Sequence, residues 1–139
     1  MRRVRRKAAG LTLAGLVTGL SACVAAAPQK TGAPAAKVDY LPGEVTLMGG
    51  DLVQVKVAAK GGVTPEILQD YARCTVAAYA QAHAAGFVRH VRTITDKEGG
   101  IWRADAVYSV TSALPAGQQT IDADVTVQDC RDRGIPTGQ

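Results

Sequence analysis

The sequence predicts a small α+β domain of two layers, with one main helix packed on a mostly antiparallel sheet and elements in the order β-β-α-β-β-β. Three observations carry this reading: short segments with strict apolar alternation, one long segment with apolar residues at 3 and 4 spacing, and paired glycines at the joints. A chain of 139 residues with 47% apolar content has room for one compact domain and is too apolar for wholesale disorder.

Ahead of the domain, Arg2, Arg3, Arg5, Arg6 and Lys7 precede an uncharged run from Ala8 to Leu20. A membrane-crossing helix needs about 20 apolar residues, so this shorter run reads as the centre of a secretory signal. It ends in Leu20-Ser21-Ala22-Cys23, which resembles the lipobox of bacterial lipoproteins. The resemblance implies removal of residues 1–22 and lipidation of Cys23, with a diacylglycerol on its sulfur and, in many bacteria, an acyl chain on the new amino group. Several chains at about 0.8 kcal/mol per buried methylene hold a protein on a membrane far better than one. Val24, rather than Asp, follows Cys23, which by the same resemblance favours the outer membrane with the domain facing the periplasm. An ordinary cut after Ala22, leaving Cys23 unmodified, is the alternative.

The net charge of +4 is a property of the leader. Removing residues 1–22 takes five of the 16 Lys and Arg side chains and leaves 11 against 12 Asp and Glu. No nucleic-acid footprint survives, since such modules carry clustered positive charge and exposed stacking aromatics.

Residues 23–39, rich in Ala with Pro28, Gly32 and Pro34, are expected to form a lipidated flexible tether, and residues 40–139 a single periplasmic domain. Glu44 to Met48 and Leu52 to Val57 are strands joined at Gly49-Gly50, with Val53, Val55 and Val57 on one face. Thr64-Pro65-Glu66 opens the helix as cap, first-turn proline and dipole-matched acid, and Gly86 closes it in the left-handed conformation. Leu68, Tyr71, Thr75, Ala78 and Ala82 form its buried stripe, broadened by Ile67 and Cys74. Phe87 to Thr95, Ile101 to Thr111 and Ile121 to Val127 then make a meander, turned at Gly99-Gly100 and at Leu114-Pro115-Ala116-Gly117. The long helical crossover sets the Leu52 strand parallel to the Phe87 strand.

With Cys23 assigned to lipid, Cys74 and Cys130 remain, and in an oxidising compartment an even remainder reads as one disulfide; the alternative is two separate thiols. Strand parity conflicts with the bridge, because it puts Cys130 on the outer face and Cys74 under the inner one.

Alternation gathers charge on the outer face of the meander: His90 and Arg92, then Arg103 and Asp105, then Asp122 and Asp124, with Arg89 beside them as a further cation of the candidate recognition surface. A solvated sheet face explains the pattern without a ligand. The sharper reading is a recognition surface for an envelope protein or glycan. Metal ligation is not indicated, since His83 and His90 lie on different elements with no partner at zinc-motif spacing. Asp122 and Asp124 share a face, but an open face does not separate two carboxyl pKa values for acid and base work. Ser109 and Ser112 lack a nucleophile-elbow pattern, no phosphate-cradling loop follows a strand, and no cofactor is implied. Trp102 and Tyr108 read as core beneath the helix.

From Leu52 to Cys130 the chain also looks like the small bacterial envelope lipoproteins that place a helix ending in Ala/Gly before a strand meander. That resemblance implies no reaction. The expectation is a lipid-anchored cell-envelope protein with a non-enzymatic binding or bracing role. The alternative is a small periplasmic hydrolase or ligand-binding accessory with a site near His90.

Overall fold

The computed structural model describes residues 36–117 and 119–138. The signal, the lipobox with Cys23 and most of the expected tether lie outside the described residues. The elements are β1 (Val38–Tyr40), β2 (Glu44–Gly49), β3 (Leu52–Gly61), α1 (Pro65–Ala82), β4 (Phe87–Glu98), β5 (Ile101–Thr111), β6 (Thr120–Asp122) and α2 (Ala123–Asp132). Of the described residues 44% are strand and 27% helix, so the fold is a curled antiparallel half-barrel with two helices. The expected plan of one main helix in the order β-β-α-β-β-β is thereby corrected at both ends.

At the front, Val38, Asp39 and Tyr40, within and just after the expected tether, pair with Gly61, Lys60 and Ala59. At the back, the expected strand from Ile121 to Val127 stops at Asp122 and becomes α2. The Asp122 carboxylate accepts the Val125 amide at 3.0 Å, satisfying one of the first free N–H groups of the helix. Once the chain is helical, Ala123, Val127 and Cys130 share a buried side, while Val125 is 67% exposed. The parity conflict over Cys130 disappears, because the three residues from Val127 to Cys130 return to the same side of a helix, whereas on a strand they would cross to the opposite face.

The strands run in the order β1-β3-β5-β4-β6, with β2 beside the first half of β3 on the same edge as β1. Every pairing is antiparallel. Both β3 and β4 oppose β5 and so run the same way, with β5 between them. The turn at Gly99 and Gly100, with φ of +57° and +78°, closes the long β4–β5 hairpin; glycine adopts two such angles in succession without steric cost. Near its start β4 carries a bulge: His90 faces Tyr108 and Arg92 faces Val107, leaving Val91 without a partner.

Helix α1 covers one face of the sheet, burying Val53, Val55, Val57, Ala104, Ala106 and Tyr108 beneath Leu68, Tyr71, Ala72 and Val76. Its buried side is wider than the predicted stripe, taking in Ala72, Val76, Ala77 and Ala80, because α2 packs against it as well. Ala78 is only half-buried and Ala82 is exposed. The Tyr71 hydroxyl donates to the Leu41 carbonyl at 2.6 Å and pins the β1–β2 connection to the helix. Cys74 and Cys130 form a disulfide between the two helices, with Cα atoms 5.9 Å apart and a sequence separation of 56.

Both helices end in the same hydrogen-bond motif. At the end of α2, Gly134 and Ile135 donate back to Arg131 and Cys130. After α1, Ala84 and Ala85 donate to Gln81 and Ala80 in the same way. Gly86, expected to hold the left-handed position, does not; Ala84 does, at φ 54°. Replacing Ala84 by Gly is therefore expected to raise stability by about 0.5–1 kcal/mol, measured by urea unfolding, since it removes a Cβ from a conformation that disfavours one. The Cys74→Ala, Cys130→Ala double variant is expected to lose about 2–4 kcal/mol in the same assay, because the bridge closes a long loop. A loss under about 1 kcal/mol would mean that packing alone holds α2.

Candidate functional site

The bulge at Val91 divides the predicted charged residues between two sides of the sheet. Before it, Arg89 points away from the helices, toward Gly117. Arg92, Ile94 and Asp96 point the same way after it, while His90, Thr93 and Thr95 pair with Tyr108, Ala106 and Ala104 on the helix side. His90 is thus removed from the predicted surface. Asp122 is drawn off as the cap of α2, and Asp124 lies on α2, where it accepts from Gln81 Nε2 at 2.8 Å. Arg92, Arg103 and Asp105 lie on the outer face, Arg92 beside Asp105 and Arg103 on the wall of a hollow that Asp105 also lines.

Among the described residues no helix covers that outer face. Glu44, Lys56, Asp105 and Ile94 form one row across β2, β3, β5 and β4; Thr46, Gln54, Val107 and Arg92 form the next. Asp105 is the centre. Its Oδ2 accepts from Gln54 Nε2 at 2.6 Å, and its Oδ1 lies 3.6 Å from Arg92 Nη1, too far for a hydrogen bond. That oxygen is buried without a hydrogen-bond partner among the described residues. Because Ala58 is small, its taller neighbours Glu44, Lys56, Asp96, Arg103 and Asp105 wall a hollow of about 280 Å³. Arg103 also reaches Glu98 at 3.8 Å, an exposed pair of small energetic weight. Ile94, 59% exposed, adds apolar surface alongside.

On the other side, His90 enters a second cavity of about 190 Å³ between α1 and β4, with Asp70, Arg73, Thr93, Tyr108 and Ile121. Its ring meets the Tyr108 ring edge to face at 5.3 Å, and its Nε2 lies 2.8 Å from Thr93 Oγ1. Asp70 is clamped by two guanidinium groups, Arg73 Nη2 and Arg133 Nη1, each at 2.7 Å, and Arg133 also holds Asp129 at 2.8 Å. Arg73 Nε is buried without an acceptor among the described residues. Burial pushes the Tyr108 phenol up to about 12, with Arg73 lowering and Asp70 raising it by less.

Sequence reasoning placed Tyr108 in the core, where it is, at 2% exposure. It missed that the residue borders a polar cavity, and it missed Asp70 and Arg73 altogether. Their i, i+3 spacing on the helix was the available signal. Among the described residues, no three His, Cys, Asp or Glu side chains come together to hold a metal ion, and no helix is long and apolar enough to cross a membrane.

A family model described as the YNQ4 C-terminal domain matches residues 40–134. Among curated proteins, the chain is 35% identical over 85 residues to an uncharacterised 26.9 kDa protein in the nqo8 5′ region of Paracoccus denitrificans. The match takes in 61% of this chain and 33% of that protein, so the chain spans about a third of its relative's length. No solved structure matches.

Burial of the Tyr108 phenol makes the fold weaker at alkaline pH. Free tyrosine ionises near pH 10, so between about pH 10 and 12 the unfolded chain sheds a proton that folded Tyr108 keeps. Stability is full below that window and falls across it, by about 2 kcal/mol from this residue. Tyr108→Phe is expected to flatten the decline in urea unfolding followed at successive pH values; an unchanged slope would place the effect on Tyr40 and Tyr71, which burial also raises.

Proposed function

This chain belongs to the YNQ4 C-terminal domain family, and from the geometry of its sheet and the residues of its leader we propose that it is a lipid-anchored cell-envelope protein that binds another envelope protein. The observation that carries the binding role is the uncovered outer face centred on Asp105. Three carboxylates, Glu44, Asp96 and Asp105, and two cations, Lys56 and Arg103, surround one hollow, and one Asp105 oxygen, 3.6 Å from Arg92, has no hydrogen-bond donor among the described residues. A lysine or arginine from a partner would complete that carboxylate, which is the chemistry of a central anchor residue in a protein interface. The alternating signs of Glu44, Lys56 and Asp105 along one row then fix the register of docking and reject surfaces with the wrong pattern. Ile94 supplies apolar area next to the charged hollow.

The same openness argues for binding over catalysis. A sheet face in contact with water neither excludes it nor drives the pKa values of neighbouring carboxylates apart. The address rests on the leader: a basic start, a short apolar run and Leu20-Ser21-Ala22-Cys23 together support a diacylglyceryl cysteine, release of residues 1–22 and attachment to the outer membrane on its periplasmic side.

Two measurements test the two halves. Wild-type protein is expected to take up a palmitate analogue and sediment with membranes, and Cys23→Ser to do neither; an unlabelled wild type would overturn the anchor. In crosslinking from intact envelopes, Arg103→Glu is expected to lower partner recovery by about tenfold while changing stability by less than about 1 kcal/mol. Undiminished recovery would return the outer face to plain solvation.

A further inference from the structure

We propose that the cleft between α1 and β4 binds a carboxylate group, received by the Arg73 guanidinium, the Tyr108 hydroxyl and the His90 imidazole. The cleft lies on the side of the sheet opposite the Asp105 hollow and is independent of it. Its volume of about 190 Å³ suits a carboxylate with a few attached atoms.

The polar lining is short of acceptors. Arg73 Nε is buried with nothing to donate to among the described residues. The Tyr108 hydroxyl makes no side-chain hydrogen bond there either, and its raised pKa keeps it a donor at every physiological pH. The only carboxylate in the lining, Asp70, is already engaged by Arg73 Nη2 on one oxygen and by Arg133 on the other. Arg133 is shared with Asp129, so these four charges balance and the free donor of the cluster is Arg73 Nε. With Nε2 of His90 held at Thr93, Nδ1 is left as a further polar contact. A planar guanidinium beside a hydroxyl donor matches the two oxygens of a carboxylate, and such charge-assisted bonds are the strong kind. Ile121 supplies an apolar wall for the group that bears it.

Access comes from the edge of the sheet. Strand β6 pairs only with Phe87, Val88 and Arg89, so beyond Val91 the outer edge of β4 carries no further strand among the described residues. Two sources of a carboxylate fit this opening: a small free acid, or the C-terminus of a peptide lying along the edge.

The test uses the full chain and three probes, namely sodium acetate, trialanine with a free C-terminus, and trialanine amide, followed by amide chemical shifts in solution. Acetate, free trialanine or both are expected to move the signals of Arg73, His90, Thr93 and Tyr108, and the amide to bind at least about tenfold more weakly than trialanine wherever trialanine binds. Acetate as effective as trialanine identifies a small acid as the ligand; trialanine about tenfold tighter identifies a peptide end. Arg73→Gln and Tyr108→Phe are each expected to weaken binding by about tenfold. The second variant removes one oxygen from the ring and keeps the test valid should the first fail to fold. Absence of shifts with both acids, equal binding of acid and amide, or wild-type affinity in Tyr108→Phe would each overturn the proposal.

Discussion

One unpaired residue, Val91, decides what each side of this domain can do. A strand presents alternate side chains to opposite faces, so an extra residue reverses the phase of everything beyond it. Without the bulge, His90 and Arg92 would stand side by side on the open face. With it, His90 turns to the helix side of the sheet, where it stays exposed beside Tyr108, and Arg92 turns out to Asp105. Two polar sites of different character result, back to back across a single sheet.

The bulge can persist because each side of it is held. Toward the helices, His90 packs on the Tyr108 ring and bonds to Thr93. Away from them, Val107, only 5% exposed on a face that no helix covers, sits in the same row as Gln54 and Arg92. The disulfide and the Arg73–Asp70–Arg133 chain tie α2 to α1 at the far rim of the cleft. Covalent closure is the firm part of that link; half-exposed ion pairs add little individually.

Much of the middle of the fold is legible in the sequence. Thr64-Pro65-Glu66 states where α1 begins, and Gly99-Gly100 states a two-residue hairpin, because each motif meets a specific backbone requirement. The ends are less legible. Ile121, Ala123, Val125 and Val127 alternate as a strand would, yet Ala123, Val127 and Cys130 satisfy helical spacing equally well, and only the capping role of Asp122 separates the two. Val38–Tyr40 is too short to show a period, and its strand state comes from pairing with β3. The outer site was half visible: parity found Arg92, Arg103 and Asp105 and misplaced His90, Asp122 and Asp124. Nothing in the local sequence marks Val91 as a bulge, since no glycine is there, so the cleft was invisible until tertiary contacts were known.

The most direct test is a scan of photo-crosslinking residues along β4 in intact envelopes. Arg89, Arg92, Ile94 and Asp96 are expected to yield one partner protein, while His90, Thr93 and Thr95 do not yield that same partner, so that the alternation slips by one at Val91. An unbroken alternation through 90, 92, 94 and 96, or capture of the same partner from both faces alike, would contradict the account.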